Sequence, residues 1–519
     1  MKQITLLLLM VFICSCKNKA VKTDYLGIID FEVTGTKDAI PKFEKGLLLL
    51  HSFEYQDARE AFLEAQKLDP NMAMAYWGEA MTYNHSLWRD QDFDNAIETV
   101  QKIKKLREKV EFTTVEEGLL DGVEILYKEK TLKKERDQAY MKHMQELFKK
   151  FPENNEIAAF YSLSLLGSVA EGRNDSIYGE GAVIANKILQ SNRKHPGALH
   201  YLIHSYDDPK HAHLALDAAD AYAKVAPDAS HALHMPSHIY VALGMWDKVV
   251  ASNIDSYGAS VARMKNKELD NNARGYHAYH WLEYGYLQKG QVAEAEKMVW
   301  DMEKYCKEDP SRRARVHLLF LKGTFLAEAD LWNHPISNIE IDVSDANIAI
   351  KSQNYFIEGR IAFENNNAEV LGKIIESMES DIKSESLLVD NVSSGFSVCA
   401  SGNRELPNRT DISESIVMKT QLMALRARLE NNIIETEKFL KKSVFLQDQL
   451  AYSYGPPFIQ KPTKEMYAEF LMDQNRLEES IVLFKQALEK GTKRLTALNG
   501  LEKATLMLEK KMSVKEAVL

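Results

Sequence analysis

Two short blocks of the sequence carry most of its candidate chemistry. Residues 200–208 read HYLIHSYDD, and residues 234–242 read HMPSHIYVA. Each block holds two histidines spaced four residues apart: His200 and His204, then His234 and His238. Residues four apart lie on one face of an α-helix, so each pair presents two imidazoles together. Neutral imidazole binds zinc and copper and also forms hydrogen bonds with peptides, which leaves a metal site and a ligand-binding site as alternatives.

The surrounding sequence predicts helices that would carry these pairs. Apolar residues recur at i, i+3, i+4 and i+7 over long stretches, with Ala, Leu, Glu and Lys between them. Glycine and proline are sparse, at 24 and 13 of 519 residues. This periodicity is typical of amphipathic helices, and alternating strand-like runs are almost absent. The sequence therefore predicts an all-α protein.

Residues 43–70, FEKGLLLLHSFEYQDAREAFLEAQKLDP, resemble the tetratricopeptide repeat (TPR), a helix pair. With Gly46 placed at repeat position 8, four further residues match positions 20, 24, 27 and 32: Ala58, Phe62, Ala65 and Pro70. Matching residues recur later: Gly78, Tyr206, Ala215, Ala219, Pro227, Tyr286, Gly290, Ala295, Ala468, Leu471, Phe484, Ala487 and Gly500. The resemblance implies a TPR-type helix-pair solenoid, or superhelix, because a single pair cannot bury its apolar face.

The TPR resemblance also implies where the histidines point. His200, His234 and His280 share repeat position 5, His204 and His238 share position 9, and His231 and His277 share position 2. In TPR proteins this stripe of the first helix lines the concave face, where ligands dock. We therefore predict a groove that binds a peptide or small ligand, lined by His200, His204, Asp207, His231, His234, His238, Arg274, His277 and His280. The blocks HALHMPSHIYVALGMW and GYHAYHWLEYGYLQKG further resemble a group of large bacterial TPR proteins, which implies no activity.

The alternative is a metal site at the same place. Neighbouring inner helices pack about 8–10 Å apart, so four imidazoles could converge on zinc or copper: His200, His204, His234 and His238. Asp207 or Glu283 would then supply a carboxylate as a ligand or as a supporting partner. Three ligands and an open position would permit metal-dependent hydrolysis. The chain lacks HExxH, GxSxG, CxxC and P-loop motifs, so we favour a binding or assembly-scaffold protein over an enzyme.

The N-terminus predicts export. Lys2 precedes an apolar run, residues 4–13, that is too short to span a bilayer and is typical of a secretory signal peptide. The run ends in ICSC, residues 13–16, which resembles the bacterial lipobox and implies cleavage before Cys16 and acylation of its sulfur. A plain secreted protein is the alternative. We expect a lipid-anchored protein of the bacterial cell envelope, at the outer membrane because Lys17 follows the cysteine where Asp would retain it.

The chain is acidic. Its formal net charge of −10, with no basic–aromatic stripe, argues against a nucleic-acid partner. Cys306 and Cys399 are either bridged or free. The predicted organisation is a signal peptide (1–15), a lipidated tether (16–38), N-terminal TPR units (39–108), divergent helices (109–190), His-rich TPR units (191–309), divergent helical repeats (310–440) with a loop insertion (387–412), and C-terminal TPR units (441–519).

Overall fold

The computed structural model describes residues 25–170, 172–389 and 406–518. Successive helices pack as antiparallel pairs, which confirms the prediction of an all-α helix-pair solenoid. Within these residues, the β structure is one short antiparallel pair, β1 (Asn84–His85) with β2 (Asp90–Gln91). No helix in the described ranges is both long enough and apolar enough for a bilayer crossing.

The N-terminal half contains helices α1 to α13. Their bounds are α1 (Ile40–His51), α2 (Tyr55–Leu68), α3 (Ala73–Met81), α4 (Phe93–Arg107), α5 (Thr114–Leu126), α6 (Lys133–Lys150), α7 (Asn155–Ser168), α8 (Asp175–Ser191), α9 (Pro196–Ser205), α10 (Leu216–Val225), α11 (Ser230–His234), α12 (Pro236–Ala242) and α13 (Trp246–Asn266). A 3-10 turn, Ala212–Ala215, lies between α9 and α10. A second 3-10 turn, Asn271–Ala273, follows α13.

The C-terminal half continues the same pattern. Its helices are α14 (Tyr276–Gln288), α15 (Val292–Glu308), α16 (Arg312–Glu328), α17 (Ile348–Glu364), α18 (Ala368–Val389), α19 (Arg409–Leu429), α20 (Ile433–Asp448), α21 (Thr463–Asp473), α22 (Leu477–Lys490) and α23 (Leu495–Val518). A further 3-10 turn spans Pro335–Asn338. The segment between α20 and α21, residues 449–462, is rich in proline and forms no regular helix, as its composition predicts. We call it the Pro-rich segment.

Packing at the glycines explains the repeat spacing. The Phe62 ring is fully buried between Gly46 of α1 and Gly78 of α3. A Cβ at either glycine would lie 2.7 Å or 2.3 Å from Phe62 Cε1. Gly500 stands in the same relation to Phe484, where a Cβ would lie 2.3 Å from the ring. A small residue is required at these positions because the aromatic ring fills the space between helices.

Adding a methyl group at Gly78 tests this packing. We expect Gly78→Ala to reduce the free energy of unfolding by about 1–3 kcal/mol, because the buried Phe62 ring must shift. Gly258→Ala is the matched control, since α13 leaves nothing within 4 Å of its Cβ. There alanine is expected to stabilise by about 0.5–1 kcal/mol through its better helix propensity. Chemical denaturation measures both, and equal shifts for the two variants would contradict the packing.

The superhelix brings distant parts of the chain together. His200 Nδ1 lies 2.7 Å from the His51 carbonyl oxygen, which belongs to the first helix pair. Arg263 donates to Asp57 at 2.9 Å, and the Trp246 indole N–H donates to the Lys493 carbonyl at 3.0 Å. Contacts between residues about 150 to 250 positions apart therefore join remote helix pairs of the solenoid.

Two segments of the structure differ in part from the predictions made from the sequence. Residues 16–38 were predicted to be a tether, but residues 25–38 pack on the body. The Ile28 N–H donates to the Lys194 carbonyl at 2.9 Å, and the Thr34 N–H donates to Glu116 Oε1 at 2.6 Å. Apolar side chains such as Phe31 make this attachment favourable.

The loop insertion predicted at 387–412 is shorter at both ends than expected, because α18 continues to Val389 and α19 begins at Arg409. Residues 390–405, which include Cys399, lie outside the described residues, and so does Cys16, the predicted lipidation site. The Cys306 thiol is buried on α15.

Candidate functional site

Histidines from three neighbouring inner segments form one group, which we call the histidine cluster. It comprises His200, His204, His231, His234, His238 and His277. Helix α9 supplies the first two, α11 and α12 the next three, and α14 the last. Centroids of neighbouring rings lie 4.7 to 6.1 Å apart. The repeat register therefore brings these imidazoles together in space.

The cluster divides into two triads, each with one ring nitrogen per histidine and all three nitrogens within 4.8 Å of one another. The first triad is His200, His204 and His231; the second triad is His234, His238 and His277. Pro236 begins α12 directly after α11 ends at His234, since proline has no N–H to continue the ladder. His231, His234 and His238 nevertheless keep the three- and four-residue spacing of one face.

Asp207 links the two triads. Its Oδ2 accepts hydrogen bonds from His204 Nδ1 at 3.2 Å and from His238 Nδ1 at 3.3 Å, while Oδ1 accepts from Arg173 at 3.1 Å. Burial by itself raises the pKa of Asp207, but the hydrogen bonds from both histidines outweigh burial and hold the pKa below its usual value. The carboxylate stays ionised and orients one imidazole of each triad.

Two other Nδ1 atoms also meet acceptors. His200 Nδ1 lies 2.7 Å from the His51 carbonyl, and His234 Nδ1 lies 2.7 Å from Asn253 Oδ1. The Asn253 amide nitrogen donates to the Val249 carbonyl at 2.8 Å, so its oxygen must face His234. A carbonyl oxygen can only accept, and therefore Nδ1 carries the hydrogen in both histidines. Their lone pairs are then on Nε2.

The Nε2 atoms of His204 and His234 are buried and have no hydrogen-bond partner among the described residues. A buried acceptor without a partner costs about 1–3 kcal/mol. The Nε2 atoms of His200 and His231 lie 3.3 Å apart, so the His200 lone pair accepts a hydrogen bond from the His231 ring. Cations bound by the nitrogens of His204 and His234 would remove the cost of leaving them without a partner.

Burial also keeps five of the imidazoles neutral. It lowers the pKa of His234 to about 3 and that of His238 to about 4, where the hydrogen bond to Asp207 offsets part of the effect. Burial, and then neighbouring imidazoles, lowers the pKa well below its usual value in three more members: His200, His231 and His277. At neutral pH these five rings are unprotonated, which is the form that binds metal.

The predicted open groove is wrong at four of its histidines. The exposed fractions of His200, His204, His234 and His238 are 0, 6, 2 and 2%. The Phe53 ring lies 4.3 Å from the ring of His200, and the Tyr454 ring lies 4.6 Å from that of His238. The groove is filled because the chain itself crosses it, with Phe53 after the first helix and Tyr454 in the Pro-rich segment. His231 and His277 are partly buried.

Three residues considered from the sequence lie outside the cluster. Arg274 donates to the Tyr257 hydroxyl at 3.2 Å and stacks over Tyr305. His280 Nε2 lies 2.8 Å from the Thr324 hydroxyl. Glu283 is fully buried on α14, and burial raises its pKa well above the usual value. It belongs to none of the potential metal-ligand groups found among the described residues.

A supporting network behind the first triad was not anticipated. Glu156 accepts from His51 Nε2 at 2.7 Å and from His195 Nε2 at 3.0 Å, and His51 Nδ1 lies 2.9 Å from the Tyr201 hydroxyl. These three acid and imidazole groups are close enough to hold a metal, but their hydrogen bonds already satisfy one another. The network fixes the His51 backbone that receives His200. No local spacing signals it, because His51 and Glu156 lie 105 positions apart.

Gly455 sets the position of residues 452–458, which cover part of the cluster and which we call the covering segment. Its φ is +89°, and a Cβ would lie 2.3 Å from Trp281 Cζ2, a ring stacked on His238. We expect Gly455→Ala to displace residues 452–458, at a cost of about 1–3 kcal/mol beyond backbone strain. Gly290→Ala is the control, because Gly290 has φ +70° and nothing within 4 Å. Hydrogen exchange should accelerate in the covering segment for Gly455→Ala alone; unchanged exchange would contradict this role.

Comparisons with known proteins concern the fold. No family model and no curated protein matches the sequence. Among solved structures, yeast Tom70 is 12% identical over 91% of this chain and 96% of its own, with a TM-score of 0.31. The Cut9–Hcn1 tetramer of the APC/C gives 11% identity over 92% and 78%, with a TM-score of 0.38. A Rap protein complexed with competence and sporulation factor gives 11% identity over 76% and 100%, with a TM-score of 0.34.

Proposed function

We propose that this protein binds transition-metal ions through the histidine cluster, with the helix-pair solenoid as the scaffold that holds the ligands. The observation that carries the proposal is the convergence of six imidazoles in two triads, with the Nε2 atoms of His204 and His234 buried and without a hydrogen-bond partner among the described residues. Zinc and copper bind imidazole nitrogen at about 2.0–2.1 Å, which puts tetrahedral ligands roughly 3.3 Å apart. His200 and His231 already have that spacing, at 3.3 Å.

The supporting groups favour a metal over a peptide. Ligand imidazoles are usually held through their second nitrogen by a carboxylate or carbonyl, and Asp207, the His51 carbonyl and Asn253 have these positions. An extended peptide requires an open surface, whereas Phe53 and Tyr454 fill the space over the rings. Zinc and copper are among the metals that imidazole ligands suit.

Elemental analysis tests the proposal. The chain is purified without a histidine tag or chelating resin, incubated with zinc or copper, and desalted. We expect stoichiometric metal in the wild type and loss of metal in His204→Gln/His238→Gln. The control is His280→Gln/His317→Gln, whose rings contact Thr324 and the Arg313 carbonyl outside the cluster. Circular dichroism checks folding. A wild type that retains neither metal overturns the proposal.

We further propose that the protein is anchored in the cell envelope through an acylated Cys16. The lipobox-like ICSC run and the preceding apolar stretch support this location. Two or more acyl chains anchor stably, since each buried methylene contributes about 0.8 kcal/mol. Labelled palmitate should enter the wild type, while Cys16→Ser should carry no label and leave the membrane fraction. Equal labelling of both chains would rule out this anchor.

A further inference from the structure

We infer that the histidine cluster holds two copper ions side by side, one in each triad. This inference rests on the proposed metal-binding function and names the metal and its number. The six histidines form two potential ligand groups of three, and a further group of His204, Asp207 and His238 takes one histidine from each triad. Three imidazoles and one open position are a complete protein ligand set for an ion of this class.

The two triads are in direct contact. The ring of His204 in the first triad lies 5.3 Å from that of His238 in the second, and both donate to the same oxygen of Asp207. The rings of His231 and His234 form a second contact, at 6.1 Å. Ions bound in adjacent triads therefore share one carboxylate support, an arrangement that fits a two-metal site, where the ions are about 3.5–4 Å apart.

Charge favours copper over the other metals that imidazole binds. Imidazole ligands bring no charge to a metal, and Asp207 adds one negative charge that Arg173 offsets at 3.1 Å. Two divalent ions would place four positive charges in a buried site with little compensation, which is costly. Copper can be held as two monovalent ions, which halves that charge. Divalent copper also binds such sites more tightly than the other first-row metals.

Access to the site limits what reaches the ions. A cavity of about 40 Å³ lies against His204 and Asp207 and is bounded by Arg173, Tyr452 and Tyr454, among others. Holding one water molecule takes about 10–15 Å³ of such a cavity. The cavity therefore has room for a few water molecules, or a small ligand of similar size, beside His204.

Copper loading followed by electron paramagnetic resonance (EPR) tests the inference. The full chain is loaded anaerobically with Cu(I), desalted and analysed for copper content, and it is then oxidised with ferricyanide to Cu(II) before the EPR intensity is measured. We expect two copper ions per chain and an integrated intensity well below the copper content, because two adjacent Cu(II) spins couple. His277→Gln removes one ligand of the second triad and should leave one copper with a full, isolated signal. His280→Gln, one turn along the same helix, should keep two coupled ions.

The outcomes separate this inference from the function on which it rests. A chain that binds neither zinc nor copper overturns both. One copper per chain, or two zinc ions with no copper, overturns the dinuclear copper site and leaves metal binding standing. Two copper ions with full, uncoupled intensity also overturn it. If His277→Gln does not fold, His231→Gln in the first triad replaces it, with the same expected single isolated copper.

Discussion

Asp207→Asn is expected to release metal from both triads at once. Asparagine offers one oxygen where Asp207 accepts from His204, His238 and Arg173, and its amide nitrogen cannot accept at all. One or both imidazoles then lose their orientation and the preference for hydrogen on Nδ1. Removing a supporting carboxylate of this kind typically weakens metal affinity by about 10–100-fold. Competition with a chelator of known affinity measures the change.

Asp208→Asn is the matched control. Asp208 adjoins Asp207, is similarly buried, and also pairs with Arg173, at 2.9 Å. Its other contacts are with the Lys210 and His211 backbone and the His211 ring, none of which belongs to the cluster. We expect wild-type metal affinity in this variant. Equal weakening by the two substitutions would show that the lost charge near Arg173, and not the orientation of the histidines, controls binding.

Arg494→Met is expected to have the largest effect on stability. Arg494 is 2% exposed and forms ion pairs with Glu328 of α16 and Glu465 of α21. It also donates to the Tyr284 hydroxyl of α14 at 3.2 Å. Burial raises the pKa of Glu328, and the arginine charge offsets part of that rise. Its removal leaves two buried carboxylates without their cation, and breaking a buried pair in this way costs about 3–5 kcal/mol.

Chemical denaturation measures this loss. Lys490→Met is the control, because Lys490 pairs with Asp448 at the surface, where the partners are 53% and 37% exposed. A surface pair of this kind contributes about 0–1 kcal/mol. We expect a large fall in the denaturation midpoint for Arg494→Met alone. Comparable midpoints in both variants would contradict a joining role for Arg494 between the inner helices and the last repeats.

Local spacing was sufficient to predict the repeat and the stripe of histidines. Gly46 and Phe62 follow the helix-pair pattern because their fit is decided within one unit and its neighbour. The convergence of His204 and His238 also follows from repeat register, since equivalent positions of adjacent inner helices face each other. These parts of the fold depend on contacts between neighbours in sequence.

The burial of the site could not be predicted in the same way. His51 and Phe53 reach His200 from the first unit, and Tyr454 reaches His238 from a segment more than two hundred positions later. Such contacts depend on the pitch of the whole superhelix, which no periodicity in the sequence specifies. His280 lies against Thr324, outside the cluster, for the same reason. It shares repeat position 5 with His200 and His234, but a shared repeat position does not guarantee the same neighbours.

Anomalous X-ray diffraction from crystals of the copper- or zinc-loaded chain locates the bound metal. We expect anomalous density inside the histidine cluster, about 2.0–2.1 Å from Nε2 atoms of a triad, with Asp207 outside bonding distance of the ion. Density restricted to the surface or to the Glu156 network, or a cluster whose lone pairs meet water alone in loaded crystals, would contradict this expectation.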